Sequence, residues 1–303
     1  MDEHIPAFVP PHTKLGESPL YRPEDATLHY VDVLGQEIKI LQLDSSFGIR
    51  TIRCPEPITF LSFHKDGGYL VCSFSSIVRV SEGGDWNVLK QVFPDTTAMR
   101  LNDAGIDSAG RLWVGSIDRV GENLPKSSGL GIEHQGTASI YRYDPDGTFS
   151  VVQNGGVIAG NGLCWSPDDT QMYFVDSYLN CIWAYDFDAV TGTISNRRVL
   201  VERGQDKGEA DGLLTDGEGN LYTFIWNGAS VIKYNAGGSM LQSWKINAAR
   251  VTHGAWVGPK LTDMIVTSAV QQDEQPIWEG EEGGGLFYLR DCCSGGMKKH
   301  QFG

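Results

Sequence analysis

No stretch of this chain approaches the roughly 18 consecutive apolar residues of a membrane-crossing helix, so a spanning role is set aside and no membrane partner is expected. The N-terminus, MDEHIPAFVPPH, carries acids and prolines where a secretory leader has a basic region and then about 7–15 apolar residues. Cytoplasmic location is the resulting expectation. Basic residues are scarce: 24 Lys and Arg stand against 38 Asp and Glu, a formal net charge of −14 that repels nucleic acid and anionic lipid. Cysteine is scarce as well. Cys54, Cys72, Cys164, Cys181, Cys292 and Cys293 show no metal-type CxxC spacing, and most lie in apolar contexts, as buried thiols of a reducing compartment do. A Gly-x-Ser-x-Gly elbow is missing, so nothing points to a serine nucleophile. Long helical apolar periodicity is missing too, which leaves strands.

What is present is a repeat. In NGLCWSPDDTQMYFVDSYLNCIWAYDFD (161–188), Asn161-Gly162 leads into an apolar run, Pro167-Asp168-Asp169 makes a turn, and Met172 to Val175 reads as a second strand. A third strand follows from Cys181 to Phe187. Five further copies of this turn-and-strand pattern occur at 23–44, 64–85, 107–118 with its partner at 139–147, 215–238, and 258–291. Their spacing of roughly 40–60 residues and their Val, Ile, Tyr, Phe and Trp content are those of propeller blades. The expected fold is therefore all-β: one six-bladed β-propeller domain over residues 1–303 with a central metal site. Residues 1–13 are expected to form an arm or an outer-blade strand.

The first apolar residue after each turn serves as a ruler: Leu28, Leu70, Leu112, Met172, Leu221 and Met264. Ten or eleven positions earlier stand Glu17, Thr59 or Phe60, Asn102, Asn161, Asp211 and His253. In a propeller the first strand of each blade lines the central channel, so residues of equal phase converge on a ring near the axis. Asn-Gly and Asp-Gly are also ordinary turn pairs; it is their coincidence of phase that singles them out. Glu17, Asn161 and Asp211 offer oxygen ligands, and Asn102 adds another or holds a water. Two carboxylates in an all-oxygen set suit a hard divalent ion: Ca²⁺ first, with Zn²⁺, Mn²⁺ and Mg²⁺ as alternatives. His253 is either a softer fifth member at the rim, placed to contact the substrate, or a structural histidine.

Several stretches, in order, resemble the senescence marker protein/gluconolactonase/regucalcin-like family of metal-dependent lactonases. They are GESPLYRPEDATLHYVDVLG (16–35), RLNDAGIDSAGRLWVGSID (100–118), EHQGTASIYRYDPDG (133–147), NGLCWSPDD (161–169) with FVDS (174–177), and TGTISNRRVL and ADGLLTDGEGNLY within 191–222. The resemblance extends from about residue 14 to 290 and implies Glu17, Asn161 and Asp211 as metal ligands, with Asp211 also the general base. It implies that Arg100 and Asn102 contact the substrate. Ala210 stands where the family usually has proline, Asn102-Asp103-Ala104-Gly105 replaces Asn-Asp-Gly, and VTHGAW (251–256) brings His253 and Trp256 toward the pocket. These departures bear on which substrate is taken.

The implied activity is hydrolysis of a small-molecule lactone by metal-activated water, in a monomer or weak dimer. Phosphotriester hydrolysis is a compatible side activity. The alternatives are a Ca²⁺-binding propeller without turnover and a propeller recruited to bind or transform an apolar metabolite. Two long loops, 119–138 and 271–285, connect second to third strands and are expected to hang over the site as a lid. Leu124, Pro125, Ile277 and Trp278 would supply its apolar contacts and Glu122 a polar, substrate-binding one, favouring a bulkier or more apolar lactone.

Overall fold

A computed structural model describes residues 4–44, 48–124, 136–204, 208–270 and 278–303. It contains six antiparallel sheets of four strands each, the six blades of a β-propeller. The innermost strands are Gly16–Arg22, Ile58–Phe63, Met99–Ile106, Gly160–Trp165, Glu209–Thr215 and Arg250–Val257. Blade six is built from both ends of the sequence: Ala7–Val9 pairs with Leu286–Leu289 as its outermost strand. Residues 125–135 and 271–277, with Pro125 and Ile277 of the expected lid, lie outside the described residues.

Local chemistry explains the recurring Asp/Gly turns. Asp107 Oδ1 accepts from the backbone N–H groups of Ala109 and Arg111, each at 3.0 Å, while Gly110 takes φ 77° to close the hairpin. Asp216 closes the equivalent turn of blade five through Glu218 N at 3.0 Å and Asn220 N at 2.9 Å. Burial is graded outward from the axis. The second strand of blade three, Leu112–Asp118, is buried throughout, whereas the outermost strand of blade four, Thr193–Glu202, is mostly exposed. Apolar residues of neighbouring blades interlock between sheets, as Tyr222 and Phe224 of blade five do with Trp256 and Met264 of blade six. Burying both faces in this way is the main stabilising term of the fold.

One irregularity recurs in every blade. The pairing of first and second strands slips at the same level, between Glu17 and Leu20, Ile58 and Phe60, Leu101 and Ala104, Gly160 and Leu163, Ala210 and Leu213, and Val251 and Gly254. Asn161-Gly162 and Asp211-Gly212 are therefore bulges within strands and not turns. Their glycines answer a close approach: a Cβ on Gly162 would lie 2.3 Å from Leu213 N, and one on Gly212 would lie 2.5 Å from His253 Cγ.

Candidate functional site

The bulge turns one residue of each inner strand toward its neighbour, and most of these residues fasten one blade to the next. Thr59 Oγ1 donates to Asn102 O at 2.8 Å, and Asn102 Nδ2 donates to Gly160 O at 2.9 Å. Asn161 Nδ2 donates to Ser177 Oγ at 3.0 Å, and Ser177 Oγ donates in turn to Ala210 O at 2.6 Å. Thr252 Oγ1 donates to Gly16 O at 2.6 Å, joining blade six to blade one. A polar side chain at this level is thus useful to the fold itself, provided it carries a proton. Glu17 and Asp211, when ionised, do not. They occupy the same ring with no hydrogen to give, and that sets them apart chemically.

Glu17, Thr59, Asn102, Asn161 and Asp211 line one cavity of about 370 Å³, together with Arg100 and Glu122. Apolar lining comes from Leu15, Val33, Leu34, Phe74, Ile117 and Trp226, and Asp103, Ser177 and Glu209 add further polar groups. Burial pushes the Glu17 carboxyl well above the usual carboxylate range, and the negative charges of Asp211 and Asp103 push it further. Burial likewise raises Asp211, with Asp103 adding to the effect and the hydrogen bond from Asn161 opposing it. Asp103, raised to about 6 by burial, has an Oδ2 atom with no hydrogen-bond partner among the described residues; His253 Nε2 lies 3.5 Å away, but burial holds that imidazole well below its ordinary pKa.

Buried Asp211 and half-buried Glu17, mutually repelling and beside an amide whose nitrogen is tied back to Ser177, form a donor set that suits a hard cation. Among the described residues no group of three or more His, Cys, Asp and Glu is arranged to hold a metal ion. What the cavity brings together is two carboxylates and an amide, those of Glu17, Asp211 and Asn161.

Arg100 sits at the cavity wall with its guanidinium 4.8 Å from the Phe74 ring centre, and Nη1 donates to Asn102 Oδ1 at 2.7 Å. Asn102 thereby has its oxygen engaged by Arg100 and its nitrogen by Gly160. Its side chain orients the guanidinium. Burial lowers the Arg100 pKa to about 10, while Glu122, Asp211 and Glu17 oppose that shift. Glu122 is half-buried at the rim, 4.0 Å from Arg119 Nε.

Residues 15–270 match the SMP-30/Gluconolactonase/LRE-like region. The chain belongs to the SMP-30/gluconolactonase/LRE-like family. Regucalcin of Xenopus laevis is 31% identical over 281 residues, covering 91% of this chain and 90% of its own length. The pentonolactonase XacC of Haloferax volcanii is 28% identical over 290 residues, covering 93% and 92%. A solved luciferin-regenerating enzyme superposes with a TM-score of 0.83 at 26% identity, covering 97% of this chain and 96% of its own.

Within this member of the family, not every residue singled out from the sequence reaches the cavity. His253 stands one position past the ring: by strand pairing Thr252 matches Asp211, and His253 matches Gly212. Its ring stacks on Phe224 at 5.6 Å and lines a separate, smaller cavity with Phe60, Trp256 and Lys299. Trp278 donates from Nε1 to Asn247 Oδ1 at 3.0 Å and meets His4 at 5.4 Å, away from the lining residues. Leu124 offers its carbonyl to Tyr178 Oη at 2.8 Å. Sequence reasoning passed over Phe74, Ser177, Glu209 and Trp226, all in the cavity wall. Ser177 had a signal, because it ends the FVDS segment at the site end of its strand. Phe74 and Trp226 had none beyond their place at the end of a second strand, Phe74 just after Tyr69–Ser73 and Trp226 closing Leu221–Trp226.

Proposed function

We propose that this protein opens the ring of a small-molecule lactone by hydrolysis, with Glu17, Asn161 and Asp211 holding one divalent cation, Ca²⁺ in the first instance. The observation that carries the reading is the presence of two carboxylates, buried Asp211 and half-buried Glu17, in a ring where Thr59, Asn102 and Thr252 serve as blade-to-blade donors. Uncompensated buried carboxylates are costly to fold, and a cation is their natural counter-charge. The names of relatives, a pentonolactonase among them, agree with a lactone as substrate.

A divalent ion at this position supplies a Lewis acid for the lactone carbonyl and lowers the pKa of nearby water. Asp211 accepts a proton from the water that adds to the carbonyl carbon. The ring C–O bond then breaks, the alkoxide takes up that proton, and a hydroxy acid results. Arg100, aimed by Asn102 and stacked on Phe74, stabilises the charge developing on the carbonyl oxygen. Apolar walls at Leu34, Phe74, Ile117 and Trp226 favour a lactone bearing an aliphatic or aromatic substituent over a bare polyol lactone.

Hydrolysis of a lactone panel, from sugar-derived to aliphatic and aromatic, tests this in protein stripped with chelator and then resupplied with single metals. Metal-restored turnover that is highest for substituted lactones supports the proposal. Cation binding with no lactone opened would instead favour a Ca²⁺-binding propeller without turnover.

A further inference from the structure

One turn, built twice on the rim of the site cavity, gives that cavity two different sides. In blade one Asp32 accepts from three backbone N–H groups: Lys14 at 3.0 Å and Leu15 at 3.1 Å, just ahead of the inner strand, and Gly35 at 3.0 Å in its own turn. Asp176 does the same in blade four through Ile158 at 2.9 Å and Ala159 and Leu179, each at 3.2 Å. Both carboxylates end a second strand and fix the two residues that follow at the mouth of the cavity. In blade four these are Ser177, which lines the cavity, and Tyr178, which is 4% exposed and donates to Leu124 O at 2.8 Å. In blade one they are Val33 and Leu34, both in the lining, and Leu34 is 43% exposed. The same turn is polar and covered on one side, apolar and open on the other.

The apolar side is continuous and stiff. Val33 belongs to the hydrophobic cluster between blades one and two, and Leu15 and Phe74 pack against that cluster. Besides Glu17 and Thr59 of the ring, the described lining from these two blades is therefore wholly apolar, whereas blades three to five supply Arg100, Glu122, Ser177 and Glu209. Gly35 lets the Asp32 turn close tightly: a Cβ there would lie 2.5 Å from Asp32 Oδ2, and Gln36 completes the turn at φ 57°. Single exposed leucines are ordinary on protein surfaces. Leu34 differs because it extends the wall of a cavity, on a turn already fixed by three hydrogen bonds, so little backbone freedom remains to be lost when a ligand lies on it.

We propose, on the reading of the site as a lactone hydrolase, that its substrate carries an unbranched alkyl chain on the lactone ring and that this chain leaves the cavity over Leu34. With the carbonyl held near Arg100, the polar edge of the ring faces blades three to five and the substituent faces Leu15, Val33 and Phe74. The blade-one rim is open at Leu34, so the wall sets no fixed limit on chain length. A short chain ends inside the cavity, and a longer one continues onto the leucine.

Steady-state kinetics on γ-lactones bearing methyl to octyl chains, with Leu34→Ser and Val190→Ser beside the unmodified protein, tests the proposal. kcat/KM is expected to rise roughly twofold per added methylene, half the free energy of a fully buried one, and to do so through KM. Leu34→Ser should flatten that rise over the longer chains. Val190 is 92% exposed between the two outer strands of blade four, and its replacement should leave the rise unchanged. No dependence on chain length in the unmodified protein overturns the proposal, as does a Leu34→Ser variant that keeps the full rise or loses the same factor at every length. Calorimetry with the matching γ-lactams, which keep ring and chain but resist hydrolysis, separates this inference from the hydrolase reading. Lactam affinity that climbs with chain length and flattens in Leu34→Ser supports the alkyl path even where no lactone is opened, and only the hydrolase reading then fails. Lactam affinity indifferent to chain length overturns the path itself.

Discussion

Arg100 donates to the side-chain oxygen of Asn102 at 2.7 Å while Asn102 donates to the backbone of the next blade, so the guanidinium is aimed by the propeller's own fastening. Arg100→Met is expected to lower kcat/KM for the preferred lactone by roughly 10²–10³-fold, the scale of losing one preorganised charge-stabilising donor. Cation affinity should change far less, since Arg100 supplies no ligand. Steady-state kinetics and calorimetry on the same preparation check both halves.

Glu17 and Asp211 are expected to cost stability when no cation is bound. Without a cation their neighbouring charges repel each other, so Glu17→Gln or Asp211→Asn is expected to raise the melting temperature of chelated protein by roughly 2–6 °C. The same variants should lose the thermal upshift that Ca²⁺ gives the unmodified chain. Thermal melts with and without chelator measure this directly, and a drop in chelated stability would contradict it.

Six copies of a turn-and-strand unit were legible because each blade is a local structure: the Asp107 and Asp216 turns and the buried second strands depend on residues close in sequence. The ring was legible for a related reason. The strand bulge recurs at one level, so a fixed count from the second strand reaches Glu17, Asn102, Asn161 and Asp211. In blade six the same count lands on His253, one residue beyond the matching Thr252, and one residue in a strand turns the side chain elsewhere. Blade two offered Thr59 or Phe60; Thr59 lines the site cavity and Phe60 the smaller one. The walls and the floor were not legible. Phe74, Trp226 and Lys299 come from different blades and the tail, and no local pattern announces which of them meet across a channel.

Close approach at the bulges gives a ranked prediction. Gly162→Ala would put a Cβ 2.3 Å from Leu213 N and 2.5 Å from Gly212 C, both backbone, whereas Gly212→Ala would meet the His253 ring at 2.5 Å and Thr252 O at 2.8 Å. Both should destabilise, by about 1–3 kcal/mol or more. Gly162→Ala should be the more severe, because its nearest contacts are backbone atoms while a ring can shift. Urea denaturation curves rank the two variants.

Acid sensitivity is expected from blade one. His29 is fully buried, hydrogen-bonded to Thr27 Oγ1 at 2.8 Å and Tyr69 Oη at 3.0 Å, with the Phe63 ring at 4.9 Å. Burial first, then the charge of Arg22, lowers its pKa to about 3; Asp25 opposes the shift and Arg50 adds to it. The unfolded chain binds this proton near its ordinary value of about 6.5. Between those two values the unfolded state holds more protons, so the contribution of His29 to stability is complete above about pH 6.5 and is lost as pH falls toward 3. Denaturation midpoints from pH 7 to pH 4 should fall less steeply in His29→Gln than in the unmodified protein.

The measurement that bears most directly on the site is lactone hydrolysis by chelator-stripped protein as Ca²⁺ is returned in steps, with calorimetric binding followed on the same sample. Activity should rise from baseline with a midpoint that matches the binding midpoint, and Glu17→Gln should abolish both. Full activity in the stripped protein, or binding that saturates while no lactone is opened, would contradict a catalytic cation at Glu17, Asn161 and Asp211.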